Sequence, residues 1–132
     1  NLKAPLFLAK AAAPHLKKSN GNIINIVDIH AQRPLSNHPV YGPAKAGLAM
    51  LTRSLAKDLA PAVRVNGVSP GAILWPEDGM TANVEQAIIK QVPLKRTGEP
   101  ADIAKTVLFL VKDAHYITGQ IIAVDGGRSI GW

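Results

Sequence analysis

The sequence predicts an α/β fold built on a parallel sheet, and three observations carry that prediction. Amphipathic segments of helix length alternate with short, β-branched apolar runs, in the order α-β-α-β-α-α-β. Consecutive strands are separated by helices, which calls for right-handed crossovers and hence parallel pairing. Each strand closes on a turn-forming cluster: Asp28, Ser69-Pro70-Gly71 and Asp125-Gly126-Gly127. Those clusters fall at the carboxyl ends of the strands, where open α/β sheets bind their ligands.

The first helix runs from Leu2 to Lys18, with Leu6, Ala9, Ala13 and Leu16 on one face and Lys17-Lys18 favouring its C-terminal end. Pro14 is expected to end or kink it. After the turn Asn20-Gly21-Asn22, the run Ile23–Val27 reads as a strand buried on both faces. Residues 29–40 form a polar loop with Pro34 and Pro39. A long helix follows from Val40 to Ala60, with Leu48, Leu51, Leu55 and Leu59 as its apolar stripe and Pro61 as its stop. Its small early residues (Ala44, Ala46, Gly47, Ala49) suit the close approach of another helix.

Val63–Val68 is the second strand, broken by Ser69-Pro70-Gly71. Residues 72–80 read as loop, and Thr81–Gln91 as a shorter helix. Gly98-Glu99-Pro100 opens the next helix with proline at its first position, turning Ile103, Val107, Leu110 and Val111 inward. Gln120–Val124 is the third strand. With one sheet edge uncovered, association is expected.

The chain has 132 residues, 47% of them hydrophobic, enough for one domain with its own core. Without cysteine there is no disulfide, thiolate metal site or cysteine nucleophile. No apolar run approaches the ~20 residues that span a bilayer, and no signal peptide opens the chain, so a cytoplasmic protein is expected. The net charge is +6, but the basic residues are scattered and aromatics make up only 5%. That pattern argues against nucleic acid. The four histidines have no metal spacing, and Ser69 has no histidine base placed for it, so a hydrolase is a poor reading.

Tyr41 and Lys45 are four apart at the start of the long helix and share a face. An ammonium near a phenol favours the phenolate and is expected to lower its pKa into the range of a working general acid. That spacing alone has little specificity. Asp28 closes a buried strand, however, with twelve loop residues between it and Tyr41. An acid, a phenol and an amine are thus expected to converge on one cleft.

The set Ile23–Asp28, Tyr41-Gly-Pro-Ala-Lys45-Ala-Gly-Leu and Arg64-Val-Asn-Gly-Val-Ser-Pro-Gly71 resembles the short-chain dehydrogenase/reductase superfamily. Gly98-Glu-Pro-Ala-Asp-Ile-Ala104 and Thr118-Gly-Gln-Ile-Ile-Ala-Val-Asp-Gly-Gly127 extend the resemblance in order, over almost the whole chain. It implies a Rossmann-type, doubly wound domain. It also implies Tyr41 as proton donor and Lys45 as the holder of the nicotinamide ribose hydroxyls. Cofactor contacts are implied at Pro70, Gly71 and the backbone near Ile73, and a water-relay role for Asn1.

Most members carry serine thirteen residues before the tyrosine; here that position is Asp28. An ionised carboxylate only accepts hydrogen bonds, so it repels an alkoxide and suits a substrate presenting N–H groups. Pteridine reductases carry aspartate there. This chain is similar to their bacterial members in Gly71-Ala-Ile-Leu-Trp-Pro-Glu77 and Asp125-Gly-Gly-Arg128.

The implied reaction is NADPH-dependent reduction of a dihydropterin C=N bond, with Asp28 and Tyr41 delivering the proton. Trp75 either stacks on a flat pterin or packs on the domain. Arg128 reads as a surface arginine, with approach to an anionic substrate group across a subunit contact as the alternative. A ketone or 3-oxoacyl thioester reductase and a non-catalytic oligomerisation module are the competing readings. A homotetramer is implied by the resemblance.

The sequence holds no G-x-G-x-x-G. It is therefore expected to be the C-terminal half of a reductase domain, lacking the phosphate-binding half, and to have little activity by itself.

Overall fold

In the computed structural model, residues 1–75 and 80–131 are described. Four helices and three strands follow in the expected order: α1 (Lys3–Ser19), β1 (Asn22–Ile26), α2 (Tyr41–Leu59), β2 (Arg64–Pro70), α3 (Ala82–Gln91), α4 (Pro100–Lys112) and β3 (Ile121–Val124). Single 3₁₀ turns cover Ile29–Ala31 and Arg128–Ile130. The sheet is parallel throughout in the order β1-β2-β3, with Ile26 level with Val68 and Pro70 level with Val124.

Side chains of β2 alternate between two layers. Val65 packs with Ala56 and Leu59 of α2 and with Ala13 and Leu16 of α1. Val68 packs with Leu110 of α4 together with Ile24 and Ile122. Helices therefore cover both faces, and Val65 through Ser69 are fully buried.

Several expectations are corrected. Helix α1 does not end at Pro14 but continues to Ser19. Pro14 and Lys10 both lie on the exposed side, where water takes up the carbonyl that proline leaves unpaired. Strand β1 is half-buried, with Ile26 exposed, because it is an edge strand whose neighbour lies on one side only. Among the described residues β3 is likewise an edge, so two edges are open rather than one.

Strand β2 continues to Pro70, since proline at the last position leaves the next N–H, that of Gly71, to bond Val124 O at 3.1 Å. The buried face of α2 is Gly42, Lys45, Ala49, Thr52, Ala56 and Leu59 together with Leu48; Leu51 and Leu55 are only partly covered. The small residues bring the helix close to the sheet, and a side chain on Gly47 would strike Leu2 at the start of α1. Val111 is exposed, whereas Leu110 is fully buried.

Buried polar groups tie the crossover before β3 to the sheet. Asn66 donates from Nδ2 to Ile117 O at 2.9 Å and accepts at Oδ1 from Gln120 N–H at 3.0 Å. Arg64 caps the end of α4, donating to the carbonyls of Leu110, Val111 and Ala114.

Candidate active site

The site begins where β1 runs out. Val27 N–H still bonds Val68 O at 2.7 Å, which carries the ladder one residue past the strand and fixes the backbone at Asp28. Asp28 is extended and caps the following 3₁₀ turn, its Oδ1 accepting from His30 N–H at 2.8 Å. That bond settles the carboxylate's rotation and sends Oδ2 to α2. There Tyr41, the first helical residue, donates its O–H to Oδ2 at 2.7 Å. Gly42 permits the approach: a Cβ there would stand 3.3 Å from His30 O.

Lys45 lies one turn further along α2. Only 8% of it is exposed, its Nζ donates to Ile26 O at 2.9 Å, and the ammonium stands 5.8 Å from the centroid of the Tyr41 ring. The acid, the phenol and the amine thus meet at the carboxyl end of β1, as the spacing requires.

The charge logic differs from expectation. Burial, then the hydrogen bond to Asp28, then the Asp28 charge push the Tyr41 phenol up to about 12. The ammonium was expected to lower it. It does not prevail, because its own proton is directed to a backbone carbonyl and the carboxylate is in direct contact with the phenol. Burial lowers the Lys45 pKa, with the Asp28 charge acting in the opposite sense.

The other predicted residues frame this centre. Pro70 and Gly71 end β2, and a Cβ on Gly71 would stand 2.7 Å from Asp125 Cα, so only glycine fits beside β3. Ile73 is half-buried, and its Cδ1 fills the space that a side chain on Gly98 would need. Trp75 is half-buried at the start of its loop; Pro76 and Glu77 lie outside the described residues. Asn1 is exposed, but with Ile26 and Lys45 it lines a hollow of about 440 Å³ between α1 and β1. Another hollow, of about 670 Å³, lies by α4 and β3 and is lined by Arg96, Asp102, Lys105 and Asp125. Neither hollow is lined by Asp28 or Tyr41, so the chemistry and not cavity size locates the site.

Arg128 corrects the surface reading. It is half-buried with its Nε enclosed, and burial lowers its pKa against the opposing charges of Asp28 and Asp125. Arg33, which sequence reasoning passed over, donates to Ser129 O at 2.7 Å and ties the 29–40 loop to the turn after β3. A lone arginine in a polar loop gives no signal for that. The Asp125-Gly126-Gly127 cluster does give one, because aspartate before glycines is a self-bonding turn.

The lysine and the phenol fit a nicotinamide ribose. An ammonium has three donors and Ile26 O takes one, so two are left for hydroxyls, with the phenol oxygen alongside.

Comparison with known proteins gives a consistent picture. The profile of the family described as Enoyl-(Acyl carrier protein) reductase matches residues 1–129. Carbonyl reductase family member 4 of Danio rerio is 43% identical over 132 residues, covering 98% of this chain and 54% of the relative. A solved apo SCOR enzyme from Clostridium thermocellum superposes with a TM-score of 0.86 at 39% identity, covering 98% of this chain and 50% of that one. A 7α-hydroxysteroid dehydrogenase complexed with NADH and 7-oxo glycochenodeoxycholic acid gives 0.85 at 37% identity, with 91% and 49% covered. The chain spans about half the length of the curated relatives it matches.

Proposed function

The chain belongs to the short-chain dehydrogenase/reductase superfamily, through its Enoyl-(Acyl carrier protein) reductase family, and from that premise we propose that it carries the proton-delivery half of a nicotinamide-dependent reductase. Its substrate is a dihydropterin or similar ring reduced at a C=N bond. The 2.7 Å hydrogen bond from Tyr41 to Asp28 carries this reading. When bound, the cofactor, NADP(H) in this proposal, supplies the hydride.

Lys45 holds the ribose hydroxyls, with Pro70, Gly71 and the backbone at Ile73 alongside. Asn1 relays water to the lysine, and Trp75 covers the substrate ring. Tyr41 keeps its proton at neutral pH, because its pKa lies near 12. To release it to a substrate nitrogen, the O–H turns away from Asp28. The phenolate left behind then takes a proton from water held at the Asp28 carboxylate, so the pair passes on one proton and Asp28 stays ionised. A carboxylate has about four lone-pair sites. His30 N–H and Tyr41 O–H occupy two of them, and two are left for substrate N–H groups.

A ketone fares worse in this site. An alkoxide forming about 4 Å from an ionised Asp28 would meet a repulsion of about 4 kcal/mol at an effective dielectric near 20, roughly a thousandfold in rate. The relatives named above nevertheless favour carbonyl substrates as the second reading. The non-catalytic alternative leaves the convergence of Asp28, Tyr41 and Lys45 without a purpose. The assembled enzyme is proposed to be a cytoplasmic homotetramer. No described helix is long and apolar enough to cross a membrane.

The experiment is a substrate comparison on the full-length protein, dihydrobiopterin against a ketone panel, both with NADPH. Higher kcat/KM on the pterin is expected. Higher kcat/KM on the ketones would transfer the assignment to the carbonyl reading.

A further inference from the structure

Asp28 stands at the root of a long polar loop and keeps one orientation only while that root is held. It caps the 3₁₀ turn Ile29–Ala31, and His30 N–H on its Oδ1 leaves Oδ2 to accept from Tyr41. A single 3₁₀ turn has poor hydrogen-bond geometry and holds itself weakly. Residues 34–40, further along, are all exposed. Arg33 stands between the two stretches and is half-buried.

The backbone of Arg33 closes the turn from both sides. Its N–H bonds Ile29 O at 3.2 Å, and its carbonyl oxygen lies 3.0 Å from His30 Nδ1. A carbonyl only accepts, so Nδ1 carries the proton and donates it. The guanidinium reaches out of the loop, Nη2 donating to Ser129 O at 2.7 Å, a charge-assisted bond. The receiving turn is well fixed. Asp125 Oδ1 accepts from Gly127 N–H at 2.8 Å and its Oδ2 from Ser129 N–H at 2.7 Å. Gly126 and Gly127 take φ of 63° and 86°, a left-handed region that suits glycine, and side chains there would strike Val92 and Pro93.

We propose that Arg33 is a positioning residue: by tying the 29–33 turn to the turn after β3, it holds the Asp28 carboxylate in the rotation that accepts from Tyr41. This inference rests on the reading of Asp28 and Tyr41 as the proton-delivering pair and names what fixes their geometry.

The path is short and continuous. It runs from Ser129 O to the guanidinium, from Arg33 O to the His30 ring, from His30 N–H to Oδ1, and from Oδ2 to the phenol. Oδ1 and Oδ2 belong to one planar group, so a shift of His30 N–H turns both. Lys45 stands outside this path, because its Nζ bonds Ile26 O on β1. Cofactor binding through the lysine is therefore expected to be indifferent to Arg33.

The test uses the full-length protein with Arg33→Met, which keeps the stem and loses the donor, and Arg33→Lys, which keeps a donor of nearly the same reach. The first readout needs no substrate. It is the midpoint of Tyr41 phenolate absorbance near 295 nm, taken against the Tyr41→Phe counterpart of each protein. In Arg33→Met the midpoint should fall from about 12 towards about 11, as the carboxylate turns away. Its kcat should drop about tenfold to a hundredfold, as for a misplaced reacting group, with KM for NADPH within about threefold of wild type. Arg33→Lys should recover most of both losses.

A folded Arg33→Met protein with a lowered Tm, the midpoint still at about 12 and kcat unchanged would make the tie purely structural and overturn the proposal. Equal losses in both variants would overturn it as well, since the missing donor would not be their cause. Should the methionine variant fail to fold, Arg33→Gln, whose shorter amide falls short of Ser129 O, replaces it under the same expectations. Wild-type protein inactive on pterins and ketones alike would defeat the reductase reading, while the phenol midpoint would still decide whether Arg33 positions Asp28.

Discussion

Replacing Asp28 with alanine should move the titration of Tyr41 by a bounded amount. Three causes raise that phenol to about 12, in the order burial, the Asp28 hydrogen bond and the Asp28 charge. Asp28→Ala removes the second and third and leaves the first. The phenol should therefore fall only part of the way to the reference value of about 10, to about 11. Phenolate absorbance near 295 nm, read as the difference between each protein and its Tyr41→Phe counterpart, isolates this one ring.

The same shift ties stability to pH. Folded Tyr41 holds its proton up to about 12, and the unfolded chain up to about 10. The stabilisation is thus complete below about pH 10 and is lost between 10 and 12. Its dry upper bound is about 2.7 kcal/mol, and water at the half-buried ring reduces that to roughly 1 kcal/mol. A midpoint unchanged at about 12 in Asp28→Ala would show that the carboxylate does not act on the phenol. A fall to 10 or below would show that burial is not the leading cause and that Lys45 governs the ring after all.

Two structural predictions accompany it. Gly71→Ala places a methyl group 2.7 Å from Asp125 Cα, a backbone atom, so β2 and β3 must part at their carboxyl ends. Thermal unfolding should register a loss of about 1–3 kcal/mol, and NADPH binding should weaken with it. Asn66→Leu takes the partner from the carbonyl of Ile117 and the N–H of Gln120 where the crossover meets the buried β2. Urea denaturation should show a loss of roughly 2–4 kcal/mol for two unsatisfied groups, and a loss under about 0.5 kcal/mol would mean that the crossover does not depend on them.

The frame of the site was legible because backbone chemistry announces it. Strand-ending Asp28, Ser69-Pro70-Gly71 and Asp125-Gly126-Gly127 all stand at the carboxyl end of the sheet, and the four-residue step from Tyr41 to Lys45 puts both on one helix face. Burial was harder to read, since it depends on what lies alongside. Ile23–Val27 has the composition of a fully buried strand but lies at an edge. Leu51 and Leu55 look like core, yet the helix turns its smaller residues to the sheet.

The direction of the Tyr41 shift was misread for a related reason. Spacing shows that Lys45 is near the ring, but not that its Nζ bonds Ile26 O while Asp28 makes the direct contact. Arg33 ties its loop to the turn after β3 through a bond to Ser129 O that spans 96 residues, a separation at which local pattern carries no information.

The most direct measurement is single-turnover hydride transfer, followed as loss of NADPH absorbance, in full-length Tyr41→Phe. The rate should drop by about 10²–10⁴-fold, the contribution of a positioned general acid, with cofactor affinity within about threefold of wild type. A rate within threefold of wild type would contradict the assignment of Asp28, Tyr41 and Lys45 as a reducing site.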